Sequence, residues 1–286
     1  MTAPVTVVLI HHREPEKCAE TAAAFRDQTV PVRLLVIDNG SPDADRRRLH
    51  ALTGVEVIEL GGNRGFGPAA NAGIRHWLGN HDGEWIVIAP HDARPRPDAL
   101  ETLLAVAGAR PWAGMACGEY GDRTRAVVDP FLGGLVVPLD SDGPWIPTEH
   151  PHGTLLALRR QCVREVGMFD ERYFAYVEEA DLALRCAAAG WETGMVLGSL
   201  VRNPGTTVGR PVVEYLQTRN TLLLVREHFG AYNGSMRLLI AVLSTLHQWL
   251  RPSRRAPWFD ARARVLAISD YLRRRFGPPP IVLTGG

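Results

Sequence analysis

The feature that most constrains this chain is the regular alternation of strand and helix signals through its N-terminal third. Val5 to Ile10 is β-branched and apolar throughout, the pattern of a strand buried on both faces. Pro15 suits a helix start, with Glu14 and Glu16 beside the N-terminal dipole, and the helical pattern runs to about Gln28. Val32 to Ile37 is a second strand, ending in Asp38-Asn39-Gly40-Ser41. A helix over 43–52, a third strand over 55–60, a glycine-rich turn over 61–68 and a helix over 69–78 follow. A fourth strand over 85–89 and a helix over 98–107 complete the series. Strands joined by helices of this length make βαβ units, and hence an α/β fold with a parallel sheet and flanking helices. Ligands of such sheets bind beyond the carboxyl ends of the strands. His11, His12, Arg13, Asp38, Asn39, Asn63, His91 and Asp92 sit at those ends, so topology predicts a single cleft along one edge.

The middle of the chain, 111–151, is rich in Gly, Pro and Asp and reads as loops with short strands at 126–128 and 134–137. A strand over 154–158, a helix over 160–166 and a helix over 178–189 closed by Gly190 come next. From Val212 the chain is helical, with long stretches at 213–228 and 235–250, a break at 251–257 and a basic helix over 261–275. The expected organisation is one α/β domain over 1–211 with a helical C-terminal extension, 212–286, packed on it. A net charge of +1 gives no reason to expect nucleic acid as a partner. Cys18, Cys117, Cys162 and Cys186 are too far apart in sequence for a zinc knuckle or a redox pair, so free thiols in a reducing compartment are predicted. Val5 is not preceded by a basic region or a small-residue cleavage site, and the apolar runs are too short for a bilayer. The expectation is a cytoplasmic protein whose membrane contact is at most peripheral, through the Arg-rich tail.

Gly65-Phe66-Gly67-Pro68-Ala69-Ala70 matches a dinucleotide fingerprint on its face. Gly61 to Arg64 separate it from its strand, however, and Glu84 precedes the next strand instead of ending it, which argues against nicotinamide or flavin. What remains is a glycine turn that lets backbone approach a ligand at a helix start, or a tight turn and nothing more. Asp38 can accept hydrogen bonds from a base or ribose, or form an Asx-turn; the two readings stand level. Asp92 offers one carboxylate to a magnesium or manganese site that also uses diphosphate oxygens. His150 and His152 flank Pro151 and read as a loop near the acceptor. The strongest segment runs from Gly167 to Arg185. Glu178 and Asp181 share a helix face there, while Glu179 points elsewhere. These acids either complement the helix dipole or belong to a site where Phe169, Tyr173, Phe174 and Tyr176 bury a carboxylate and raise its pKa.

Taken in order, these pieces resemble the family 2 glycosyltransferases, and within them the rhamnosyltransferase-like branch, over roughly Val5 to Asn220. The matching residues are the first-strand loop 11–14, Asp38, Asn63, Gly65, Asn71, Gly73, Ile74, Gly153, Arg159, Arg160, Gly167 with Phe169 to Glu171, Tyr176 to Arg185, and Tyr215, Arg219 and Asn220. The resemblance implies a GT-A-type, Rossmann-like, mostly parallel sheet. It implies inverting transfer of a sugar from a nucleoside-diphosphate sugar, UDP- or dTDP-linked, to an acceptor hydroxyl. The acceptor would be a glycan, a lipid-linked glycan or a small-molecule natural product. By the same resemblance Asp38 contacts the nucleobase, His11 and Arg13 line the nucleotide pocket, and Asn63, Gly65 and Asn71 belong to the donor side. Asp92 holds metal and diphosphate, and Glu179 is the general base. Of the other two acids, Asp181 is then the reserve base and Glu178 structural or acceptor-binding, and His152, Gly153 and Trp191 are placed on the acceptor side. Pro90 occupies the first position of the metal motif, and Arg202-Asn203 replaces a His that often follows the last strand. Dependence on Mg2+ or Mn2+ is therefore open, and Arg94, Arg202 or Arg210 are alternative neutralisers of the diphosphate. Glu179 stands where Asp is usual. Two other readings are a nucleotide-sugar-binding protein with weak or no catalysis, and a sugar nucleotidyltransferase, whose phosphate loop is missing from 11–15. A homodimer stays open.

Overall fold

The computed structural model describes residues 3–203 and 209–284. The apolar runs form strands β1 (Val5–His11), β2 (Val32–Asp38), β3 (Val55–Glu59) and β4 (Trp85–Pro90). They lie parallel in the order β3-β2-β1-β4, with α1 (Pro15–Arg26), α2 (Asp43–His50) and α3 (Phe66–Asn80) as crossovers. Val7 to Leu9, Val36, Ile37 and Ile86 to Ala89 are buried, as uninterrupted apolar strands require. His11 pairs with Asp38 in register, which puts the polar strand ends on one edge.

Beyond β4 come β5 (Arg94–Pro95), α4 (Ala99–Gly108), β6 (Ala113–Glu119), a hairpin of β7 (Thr124–Asp129) and β8 (Gly133–Pro138), and β9 (Trp145–Pro147). Then follow β10 (Leu156–Arg159), α5 (Arg160–Val166), α6 (Glu178–Ala188) and β11 (Glu192–Arg202). The main sheet has 9 strands and continues from β4 through β10, β6 and β11 to β5. β10 is antiparallel to both its neighbours, while β6 and β11 run parallel to each other and share the direction of β1 and β4. The sequence reading placed 111–119 outside regular structure, and β6 corrects it. Its small residues carry little intrinsic strand preference, but they admit close neighbours on both faces. A Cβ at Gly114 would lie 2.6 Å from Cys162 Sγ, and one at Gly118 2.6 Å from the Ser199 carbonyl oxygen.

The predicted pair of C-terminal helices is present as the two halves of α7 (Arg210–Leu250), separated by a non-helical break at Gly230, where φ is 84°. The second half folds back on the first, so that Arg237 reaches Thr221 Oγ1 at 2.8 Å. A 3-10 turn over 252–254, α8 (Ala261–Leu272) and α9 (Ile281–Thr284) complete the chain. Tyr215 and Leu216 of α7 and Ala263 and Ala267 of α8 form one apolar cluster with Phe174, in the loop before α6. The tail is thus packed into the acidic segment. The fold also joins cysteines that the sequence keeps apart: Cys162 and Cys186, on α5 and α6, approach to 3.3 Å as buried free thiols. Among the described residues, no helix is long and apolar enough to cross a membrane.

Candidate active site

The carboxyl ends of β1, β2 and β4 meet in a hydrogen-bonded knot. His11 Nε2 accepts the Glu14 backbone N–H at 3.1 Å, so its proton sits on Nδ1, 3.3 Å from Asp38 Oδ1 and 3.1 Å from Ser41 Oγ. Burial lowers the His11 pKa and keeps the ring neutral. The Asp38 carboxylate also accepts the Ser41 backbone N–H at 3.2 Å, so the turn reading of Asp38 is realised in the structure. His91 packs edge-on against His11 and pairs with Glu14 Oε2 at 3.0 Å. The next residue, Asp92, is 7% exposed. Among the described residues its carboxylate has no hydrogen-bond or ion-pair partner. Arg13, with φ 57°, extends outward from the same edge.

Asn39 links this edge to the glycine-rich turn. Its Nδ2 donates to the Gly65 carbonyl at 3.1 Å and to Asn63 Oδ1 at 3.2 Å, and its Oδ1 accepts the Arg64 N–H at 2.8 Å. Gly65 has φ 96°, and a Cβ there would lie 2.2 Å from the Phe174 carbonyl oxygen, so only glycine fits. Gly67 donates its N–H to that same oxygen at 3.3 Å. The glycine turn therefore abuts the loop that leads into α6.

That loop is strained. Phe174, Tyr176 and Val177 all have positive φ, at 67°, 66° and 78°. Non-glycine residues persist in this region only when their surroundings impose it. Asn220 of α7 imposes it here, its Nδ2 lying 2.9, 2.8 and 2.7 Å from the carbonyl oxygens of Tyr173, Ala175 and Tyr176. Arg219 adds a bond to the Tyr173 carbonyl at 3.1 Å. Arg219 and Asn220 were legible as a motif, but their clamping of this loop was not.

The clamped loop delivers Glu179. Its Oε1 accepts the Gly153 N–H at 3.1 Å, and a Cβ on Gly153 would meet that oxygen at 2.6 Å and the Phe66 ring at 3.2 Å. Burial pushes the Glu179 carboxyl up to about 7, against the opposing pull of its backbone hydrogen bonds. His152, next in line, donates from Nε2 to the Gly118 carbonyl at 2.8 Å and stacks on Tyr120 at 4.1 Å. Burial drives its pKa down to about 4, so the ring is neutral. Gly153 thus stands against the Glu179 carboxylate, with His152 beside it.

Other expected site residues are used differently. Asp181 is 4% exposed and held by Arg185 at 2.8 Å and His228 at 2.8 Å. The hydrogen bond from His228 and the charge of Arg185 hold its pKa down in spite of burial, which is unsuited to a reserve base. Glu178 is 1% exposed, against Gly67 and Phe169, so it presents no surface to an acceptor. Burial, and then the neighbouring Glu179, raise its pKa far above the usual carboxylate range, so it is held as the neutral acid. Trp191 stands at the start of β11, on the sheet edge opposite the knot, with Nε1 bonded to Glu165 at 2.9 Å. It packs in the core, away from Glu179 and Gly153. Asn71 is buried, and its amide bridges Phe169 N and O and Glu171 at 2.9 to 3.0 Å, clamping α3 to the acidic segment. His11 is fully buried with both ring nitrogens engaged, so it shapes the edge from behind.

The family model for glycosyl transferase family 2 matches residues 6–149, which is half of the chain. The chain belongs to glycosyl transferase family 2. Similar curated proteins include the N-acetylglucosaminyl-diphospho-decaprenol L-rhamnosyltransferase of Mycobacterium tuberculosis, 28% identical over 243 residues that cover 72% of this chain and 79% of the relative. A galactofuranosyltransferase of the same organism is 27% identical over 230 residues, 74% of each chain. Among solved structures, a Pyrobaculum calidifontis mannosyltransferase in complex with GDP-Man and Mn2+ superposes with a TM-score of 0.61 at 18% identity, covering 96% of this chain and 89% of that one. These likenesses make the GT-A fold and glycosyltransferase activity secure for this family 2 enzyme. They also place the expected rhamnosyltransferase-like resemblance on firm ground.

Proposed function

We propose that this enzyme catalyses inverting transfer of a sugar from a nucleoside-diphosphate donor, with Glu179 as general base. The observation that carries the reading is the carboxyl of Glu179, held by the Gly153 N–H at 3.1 Å and raised by burial to about 7. A base poised near the working pH combines the ionised form with a real driving force for proton uptake. Glu179 would take the acceptor hydroxyl proton as that oxygen attacks the anomeric carbon, and the nucleoside diphosphate departs from the opposite face. Residues 1–211 serve as the donor-binding and catalytic domain, and 212–286 brace the loop that holds the base.

Arg13, Asn63 and the backbone around Gly65 form the donor side, with Asp38 behind them. Asp92 suits a Mg2+ or Mn2+ ion, because its carboxylate is a hard oxygen ligand with no other partner among the described residues. Such an ion would neutralise charge on the departing diphosphate. The group Glu56, His76 and His81 lies at the start of β3 and the end of α3, away from this edge, and takes no part. The donor is a UDP- or dTDP-sugar and the acceptor a lipid-linked glycan at the membrane surface, in keeping with the decaprenol-linked substrate in the name of the rhamnosyltransferase relative. The test is product analysis by NMR with a UDP- or dTDP-sugar and a lipid-linked acceptor. A product of inverted anomeric configuration, lost in Glu179→Gln, is expected; retention of configuration, or unchanged turnover in the variant, would overturn the proposal.

A further inference from the structure

The second half of α7 is built inside out. It turns Gly234, Ala241 and Thr245 inward, and the Arg237 guanidinium with them, which donates to Thr221 Oγ1 at 2.8 Å. Outward it turns Leu239, Val242, Leu243, Leu246, Trp249 and Leu250, the last two 60% and 64% exposed. These positions recur at helical spacing and make one continuous stripe, about 17 Å long at 1.5 Å per residue. A surface helix ordinarily turns such a stripe to the core and its polar face to water.

The charge around the stripe selects its occupant. No Asp or Glu occurs between Glu227 and Asp260, whereas Arg251 and Arg255 stand exposed immediately beyond the apolar residues. Arg255 donates from Nε to the Gln248 carbonyl at 3.0 Å and from Nη2 to the Trp249 carbonyl at 3.2 Å, which pins the cationic end to the helix terminus. Trp249 and the exposed Trp258 flank these arginines. Leucines, then indoles, then arginines without acids is the composition of a helix lying in the interface of an anionic bilayer.

We propose that this stripe docks the enzyme on an anionic membrane surface, with the second half of α7 lying in the membrane plane. The first half of α7, on which this helix folds back, carries Arg219 and Asn220, so docking ties the Glu179 loop to the bilayer that would hold the acceptor. That consequence rests on the proposed lipid-linked acceptor; the docking itself does not.

The test uses the full chain and acceptor-free vesicles, of phosphatidylcholine alone and of phosphatidylcholine mixed with phosphatidylglycerol. The protein should pellet with the mixed vesicles and only weakly with the neutral ones. Leu243→Ser/Leu246→Ser/Trp249→Ser and, separately, Arg251→Glu/Arg255→Glu should each weaken binding at least about 10-fold, with circular dichroism and donor hydrolysis in solution unchanged. Absence of binding to the mixed vesicles, or binding indifferent to the triple variant, would overturn the docking. So would a dimer, seen by light scattering, that the triple variant converts to monomer while vesicles bind neither form. Vesicle binding without donor hydrolysis would uphold the docking and count against the proposed function instead.

Discussion

Replacing Glu179 with Gln should move activity and stability in opposite directions. Burial raises this carboxyl from 4.5 to about 7, so between those pH values the folded chain keeps a proton that the unfolded chain has released. The group therefore favours folding most below about pH 4.5, loses that contribution as pH rises, and reaches its full cost above about pH 7. At about 1.4 kcal/mol per pH unit, the cost of ionised Glu179 amounts to ~3 kcal/mol. Gln is neutral throughout, and its carbonyl can still accept the Gly153 N–H. At about pH 8 the variant should thus be the more stable protein by up to ~3 kcal/mol, a rise in Tm of about 6 °C for a chain of this size. Near pH 4.5 the two proteins should melt together. Transfer should fall by about 10²- to 10⁴-fold, and wild-type kcat should rise with pH through about 7. Thermal melts across this pH range, paired with release of nucleoside diphosphate, measure both. A variant that melts below the wild type at about pH 8, or a difference in Tm that ignores pH, would refute the burial argument; flat wild-type kcat across this range would refute the base.

Asn220→Ala removes the amide that holds three carbonyls of the strained loop, and strain of about 1–3 kcal/mol per residue then goes unopposed. Its kcat should fall about 100-fold while the KM for donor stays within a few-fold, and an unchanged kcat would show that the loop keeps its shape unaided. Asp181→Asn breaks a buried ion-paired group and should cost about 3 kcal/mol in urea unfolding while the folded enzyme keeps its kcat. A deep loss of kcat at unaltered stability would return Asp181 to the chemistry. Gly65→Ala drives a Cβ into the Phe174 carbonyl and should abolish nucleoside diphosphate binding in titration calorimetry, where wild-type affinity would contradict the geometry. Asp92→Asn should remove most of any gain in nucleoside diphosphate affinity on adding Mn2+, and a gain equal to that of the wild type would place the ion elsewhere.

The sequence by itself determined the parallel half of the sheet. Long apolar runs such as Val5 to Ile10, separated by helices, leave few arrangements other than βαβ units, and these put His11, Asp38 and Asp92 on one edge. It also singled out Glu179, through the order of its motifs. It did not show β6, because Ala113 to Glu119 becomes a strand through what packs on it and not through its own preference. Nor could it sort the three neighbouring acids. Helical spacing said only that Glu178 and Asp181 share a face; Arg185 and His228 claim Asp181, and Gly67 and Phe169 bury Glu178. Arg185 stands one helical turn from Asp181, a local pair, but His228 comes from α7, Gly67 from α3 and Phe169 from the loop before α6, and no local pattern carries those. The strain at Phe174, Tyr176 and Val177 was equally silent, since none of them is glycine and the force that holds them comes from Asn220, far along the chain. Periodicity fixes which residues face inward, but which carboxylate titrates near neutrality depends on what desolvates it and what pairs with it, and only the tertiary structure decides that.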